Sequence, residues 1–335
     1  MRMINSSPAL NPQSDYKPKN CSLDMISVPL PNYLPQLDER IKVQGFHAVL
    51  LEQHRKTKAT MRAVSKLLGV HEVTYQLYLT GKNRPDFKML KKLSQVYGTD
   101  LFQIAFDGNY AFVVKKKVVN LPRELTIDLA YYVGYLQGDG YISRYDRHIG
   151  FCDEYKAQME KIDGLTRKIF NIQGVLKSQM TVLSKKPCYK LTVNSMAVNS
   201  FLSEVFGINK GVKKDLKVPR ILFENEELLR NYVSGLYDAD GTLPKNPAKA
   251  KQLFLDITMK DKQFIEEIQC ILGSFGITSL KLYERRTHSF VGNPDSPSWE
   301  IQIRRKKEIQ HFLERIGFKH PDKSRRAIEV MAMLV

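Results

Sequence analysis

Two short segments of this 335-residue chain each end in an aspartate followed by glycine, after the same run of small residues. Ala130, Gly134 and Gly138 lead to Asp139-Gly140, and Asn231, Gly235 and Ala239 lead to Asp240-Gly241, at a constant offset of 101 residues. Residues four apart share one face of a helix. Each segment therefore predicts a helix whose small-residue stripe lets a second backbone approach closely. Leu129, Tyr132, Val133 and Leu136, with Leu229, Val233 and Leu236 in the second copy, face the remaining core. A carboxylate at a helix C-terminus opposes the macrodipole at a cost of about 0.3–1 kcal/mol. If the stripes pair, the two acids also repel each other. A divalent cation shared with phosphate oxygens meets that need, because Mg2+ takes one or two carboxylates plus substrate oxygens. One Asp-Gly alone would only open a turn; its repetition argues for chemistry.

The elements that must position these acids also come in two copies. Pro122 and Pro219 introduce the motif helices. Strand-like stretches follow at 141–151, 173–183 and 188–194, then at 252–258, 278–286 and 298–304. Each copy closes on a helical stretch ending in Phe206-Gly207-Ile208-Asn209-Lys210 or Ile316-Gly317-Phe318-Lys319. This is a duplicated domain; a solenoid would need shorter and more numerous units.

Tyr132-Val-Gly-Tyr-Leu-Gln-Gly-Asp-Gly140 and Val233-Ser-Gly-Leu-Tyr-Asp-Ala-Asp-Gly241 resemble the motifs of LAGLIDADG homing endonucleases in their single-chain, two-repeat form. The resemblance covers residues 122–335. It implies an α+β fold of two pseudo-symmetric αββαββα repeats forming a saddle over DNA, with the motif helices at the pseudo-twofold axis. It makes Asp139 and Asp240 catalytic metal ligands, with Gly138 and Ala239 beside them, and the cofactor Mg2+, with Mn2+ able to substitute. Gln137 and Asp238 hold the less essential sixth motif position. A lysine usually follows the second strand of such repeats, and Ile257-Thr-Met-Lys-Asp-Lys262 nominates Lys260. The matching Ile149-Gly-Phe-Cys-Asp-Glu154 offers Cys152 or Asp153 and no lysine, so unequal cutting of the two strands is expected. Lys214 and Lys217 are alternative sources of charge, read here as a solvated run.

The activity implied is site-specific, metal-dependent cleavage of both DNA strands across the minor groove, leaving 3′ overhangs. The implied partner is a long pseudo-palindromic duplex, bound by a monomer. A non-catalytic DNA-binding regulator with the same fold is the competing reading, and an RNA-splicing maturase a third. An intein is disfavoured, because Met1 and Ala332-Met-Leu-Val335 carry no terminal Cys or His-Asn pair.

Charge agrees with a polyanionic partner. The chain has 52 Lys and Arg against 35 Asp and Glu, a net +17, which favours nucleic acid over an anionic membrane surface. Strands that read DNA must turn polar and basic side chains outward in alternation. The candidates are Arg144, Arg147, Lys177, Lys190, Lys251, Lys281, Arg285, Arg286, Arg304 and Arg305, interleaved with Ser178, Gln179, Thr192, Asn194 and Gln302.

A second module precedes the repeats. Met61–Pro85 resembles the helix-turn-helix of phage-repressor-type regulators, with the turn at Leu68-Gly69-Val70 and a recognition helix over 71–79. The start of such a helix enters the major groove, which nominates His71, Glu72, Thr74 and Gln76; Val70, Tyr75 and Tyr78 pack inward. The expected organisation is a Pro-rich arm (1–39), a helix-turn-helix domain (40–106), a linker (107–122) and repeats at 123–218 and 219–335. Cys21, Cys152, Cys188 and Cys270 show no CxxC spacing, so free thiols in a reducing compartment are expected, without zinc. No apolar run reaches the length of a membrane span, and a soluble intracellular protein is expected.

Overall fold

The computed structural model describes residues 26–108, 110–145, 147–180, 187–278, 280–286 and 297–334. Most of the Pro-rich arm, residues 1–25, lies outside them. After strands β1 (Ser27–Pro29) and β2 (Lys42–Val43) come five helices: α1 (His47–Thr57), α2 (Met61–Leu68), α3 (Glu72–Leu79), α4 (Phe87–Tyr97) and α5 (Leu101–Asp107). Their ends follow from local chemistry. Thr60 accepts the Ala63 N–H at 3.2 Å to start α2, and Gly69, at φ 67°, ends it. Asp86 and Asp100 cap α4 and α5 in the same way.

Residues 107–122, expected as a linker, contain a β-hairpin instead: β3 (Phe112–Val114) and β4 (Lys117–Val119), with β2 added at its edge. Within the Lys115-Lys116-Lys117 run, Lys115 and Lys116 form the turn of this hairpin, with Lys115 at φ 56°, and Lys117 opens β4. The described end of the arm is also ordered. β1 pairs with β5 (Glu124–Thr126), and the Tyr33 ring packs 5.5 Å from Phe106 and 4.9 Å from Phe201. A single apolar core thus runs from the helical module into the first repeat.

The repeats follow the expected order. The first is α6 (Ile127–Gly138), β6 (Tyr141–Ile142), β7 (Ile149–Asp153), α7 (Lys156–Phe170), β8 (Val175–Met180), β9 (Pro187–Val193) and α8 (Met196–Phe206). The second is α9 (Glu226–Asp240), β10 (Gly241–Thr242), β11 (Leu255–Met259), α10 (Lys262–Ser274), β12 (Lys281–Arg286), β13 (Pro297–Ile303) and α11 (Lys306–Arg315). A further helix, α12 (Pro321–Leu334), ends the described chain. The two antiparallel sheets share one strand order, β6-β7-β9-β8 and β10-β11-β13-β12. Phe151 faces Leu191 in one and Ile257 faces Ile301 in the other, so both sheets bury the matching face.

One expectation needs correction. Cys152 and Cys188 are joined by a disulfide between β7 and β9, with Cα atoms 6.6 Å apart. They are 36 residues apart in sequence, and only the strand register, with Cys152 opposite Lys190, brings them together. Cys270 is free and exposed.

Candidate active site at the paired helix ends

The two stripes pair. A Cβ on Gly134 would fall on the Tyr232 carbonyl oxygen, and one on Gly235 would fall on that of Tyr131. Only glycine allows this backbone approach, and it does so at positions 101 apart on α6 and α9. Polar bonds lock the register across the seam. Tyr131 donates to the Asp238 carboxylate at 2.6 Å, and its counterpart Tyr232 donates to Gln137 at 2.6 Å. The sixth motif positions are therefore the partners of two tyrosines, buried within the seam.

Asp139 and Asp240 meet where the seam ends: a Cβ on Gly138 would lie 3.0 Å from Asp240 Oδ2. Asp139 is exposed and Asp240 half-buried, so both reach solvent. Exposed as a residue, Asp139 nevertheless has its carboxyl crowded by protein. That crowding, then the charge of Asp240, pushes it up to about 7. Burial also raises Asp240, against the pull of Lys213 and Lys323.

Those two lysines were missed by the sequence reading. Neither α6 nor α9 has a basic residue in its last turn. The positive charge arrives from elsewhere. Lys213 Nζ donates to the Gln137 carbonyl at 2.8 Å and to that of Gly138. Lys323 Nζ donates to the carbonyls of Tyr237 at 3.0 Å, Asp238 at 2.6 Å and Ala239 at 3.0 Å. Each ammonium offsets the negative end of a helix and faces the acid there. Burial lowers the pKa of both lysines, while Asp139 and Asp240 pull the other way. Lys214 and Lys217, the neighbours weighed from the sequence, are exposed. Lys260 is exposed at the end of β11, and the cations acting on the two acids are Lys213 and Lys323.

The cation implied by the resemblance suits part of this donor set. Two carboxylates from adjacent helix ends, one with a raised proton affinity, are hard oxygen donors whose mutual repulsion a cation would relieve. The carbonyls of Gly138 and Ala239 already accept from ammonium groups. Among the described residues no group of three His, Cys, Asp or Glu side chains could hold a metal, so the pair itself is the candidate.

The outward strand faces carry seven of the fifteen residues nominated in the repeats to read DNA. Lys177, Gln179, Lys190 and Thr192 share one face of the first sheet, and Lys281, Arg285 and Gln302 the matching face of the second. Ser178 lies on the opposite side, across from Tyr189. Arg144 and Arg147 sit exposed between β6 and β7, Lys251 is exposed ahead of β11, and Arg304 and Arg305 are exposed just past β13. The side chain of Arg286 lies outside the described residues. In α3, Glu72 and Gln76 are exposed and Thr74 is half-buried, while Tyr75 is buried and bonds to His54 at 3.0 Å. His71 is exposed, and its Nδ1 accepts the Val73 N–H at 3.3 Å, so it also caps the helix. Val73, 54% exposed, was missed and adds an apolar group to that surface.

Residues 227–317 match the LAGLIDADG-like domain model, and residues 51–104 match the helix-turn-helix model. The chain is a LAGLIDADG-fold protein with an N-terminal helix-turn-helix domain. It is 29% identical over 290 residues to a glutamine–fructose-6-phosphate aminotransferase (isomerizing) of Methanocaldococcus jannaschii, covering 86% of this chain and 24% of that protein. It is 26% identical over 216 residues to the ribonucleoside-diphosphate reductase NrdEB subunit alpha of Bacillus subtilis, covering 58% of this chain and 19% of that protein. The LAGLIDADG-fold chain thus spans a quarter or less of these curated relatives. Among solved structures, full-length DUF199/WhiA from Thermatoga maritima is 18% identical with a TM-score of 0.41, over 61% of this chain and 60% of that one. The homing endonuclease I-WcaI bound to its DNA recognition sequence is 19% identical with a TM-score of 0.43, over 60% and 85%. No described helix is long and apolar enough to cross a membrane.

Proposed function

We propose that this LAGLIDADG-fold protein binds duplex DNA across the outward strand faces of both repeats and hydrolyses a phosphodiester in each strand at the Asp139–Asp240 pair. The observation that carries this reading is the meeting of two solvent-reaching carboxylates at the ends of α6 and α9. A protein that only bound DNA would gain nothing from acids turned toward phosphate. Asp139 and Asp240 would hold Mg2+, with Mn2+ able to substitute. Such a cation, when bound, stabilises charge on the attacked phosphate and acidifies water. Lys213 and Lys323 keep fixed positive charge beside the acids and stabilise charge gathering on the phosphoryl oxygens. Lys260 remains an exposed candidate for orienting the attacking water. The helix-turn-helix domain would add a second DNA contact through the exposed start of α3.

The test is cleavage of supercoiled plasmids carrying a randomised insert, in Mg2+. A subset of sites is expected to be linearised by the wild type, and Asp139→Asn with Asp240→Asn to abolish this. Unchanged cleavage by the double variant would overturn the assignment.

A second reading, a DNA-binding regulator without nuclease activity, is favoured by one observation. Lys213 and Lys323 already supply counter-charge at both helix ends. Specific duplex selection without cleavage in either Mg2+ or Mn2+ would establish it.

A further inference from the structure

The two outward strand faces are chemically unlike at matching positions. On the first sheet Lys177 lies directly opposite Lys190, and that face of β6–β9 carries no acid among the described residues. Like charges opposite each other are unfavourable, so this pair suits an anion such as phosphate. By register, Glu300 of β13 takes the place of Lys190, Gln302 that of Thr192 and Arg285 that of Gln179.

In the second sheet these residues form a fixed chain. Glu300 is 1% exposed and pairs with Nε of Arg285, whose side chain is 52% exposed. Gln302 Nε2 donates to Glu300 at 2.6 Å, and Gln302 Oε1 accepts from Arg304 Nε at 2.7 Å. Because the Gln302 amide donates inward and accepts outward, its orientation is set by the buried carboxylate. Both guanidinium groups are thereby held through Nε, which leaves their terminal nitrogens for a ligand. Such a fork matches O6 and N7 of guanine in the major groove. A flexible lysine is a point charge without that geometry.

We propose that Glu300 is a positioning residue that fixes Arg285 and, through Gln302, Arg304 as guanine-reading groups, so that the half-site under the second repeat is the more strictly discriminated one. This rests on the DNA-binding part of the reading above and is independent of cleavage. A preset fork loses little freedom on binding, so its preference is sharp. The lysine face of the first repeat contributes affinity that varies little with sequence.

Affinity selection from a randomised duplex library, in EDTA and with the full chain, separates the possibilities. Wild-type protein is expected to show a guanine preference at one or two adjacent positions in one half-site only. Glu300→Ala should lower that preference about tenfold or more, leave other positions as they were, and change affinity for random duplex by less than about threefold. Glu300→Gln, which keeps a hydrogen-bonding group in place, should restore part of it. If Glu300→Ala does not fold, Arg285→Lys carries the test, since it keeps the charge and removes the fork. Unchanged preference in a folded variant, or equal weakening at every position, would overturn the proposal. Failure of the wild type to select any duplex would instead overturn the DNA-binding reading, and this proposal with it.

Discussion

The Tyr131 hydroxyl donates to the Asp238 carboxylate across the α6–α9 seam at 2.6 Å, and Tyr232 makes the mirror bond to Gln137. The two tyrosines differ in their acceptors, an acid against an amide, and the Tyr131 hydroxyl also accepts from Gln158 and Lys161, each at 3.2 Å. Hydrogen bonds to charged groups contribute about 1.5–3 kcal/mol and neutral ones about 0.5–1.5 kcal/mol. Tyr131→Phe should therefore destabilise the protein more than Tyr232→Phe. Urea unfolding at neutral pH checks the order, and equal losses would contradict the asymmetry.

The seam is expected to tolerate no added atom. Gly134→Ala places a methyl on the Tyr232 carbonyl and should cost about 1–3 kcal/mol, as overpacking does. Gly164→Ala in α7 meets nothing within 4 Å and should stabilise by about 0.5–1 kcal/mol. Thermal unfolding of the two variants should move in opposite directions.

Removing the helix-end ammonium groups tests their role without metal. Lys213→Met leaves the Gln137 and Gly138 carbonyls without that donor, and Lys323→Met does the same to Tyr237, Asp238 and Ala239. Each should cost about 1–3 kcal/mol in EDTA, and each should slow cleavage in Mg2+ more than Lys260→Ala does. A Lys260→Ala variant that is the slowest of the three would return the catalytic role to the residue nominated from sequence.

How much of this was legible follows from where each partner lies in the chain. The stripe Gly134–Gly138 and its copy Gly235–Ala239 could be found because helix periodicity and duplication both act within a few residues. Lys213 was passed over because it stands beside Lys214 and near Lys217, and nothing local distinguishes the one that turns back to α6. Lys323 is harder still, since it lies 84 residues beyond the Ala239 carbonyl it binds. The Cys152–Cys188 bond depends on strand register, which spacing alone does not set. The hairpin at 112–119 reads as a linker in sequence because its strands are three residues long and a lysine run spans its turn and the start of β4. Glu300 drew no attention as a single acid among basic residues; only its burial beneath Arg285 gives it meaning.

The raised Asp139 carboxyl gives a pH dependence of definite sign. With an ordinary value of 3.8 and a folded value of about 7, the folded state binds the extra proton between them. That contribution to stability is full below pH 3.8 and is lost as pH rises through about 7. Asp139→Asn should flatten this decline in metal-free buffer and make the variant the more stable protein at pH 8. Melting curves across pH 4–8 check this. A wild type whose stability rises through that window relative to the variant would contradict it. Cleavage should rise over the same range, because only the ionised carboxylate can hold a cation.

The central claim is that Asp139 and Asp240 act as one site. Its most direct test is a double-mutant cycle on single-turnover cleavage of a selected duplex in Mg2+, using Asp139→Asn, Asp240→Asn and both together. Groups that act as a unit are strongly non-additive, so each single variant should lose nearly as much rate as the pair. Two losses that simply multiply, or a single variant that cuts at the wild-type rate, would show that the two carboxylates do not share a centre.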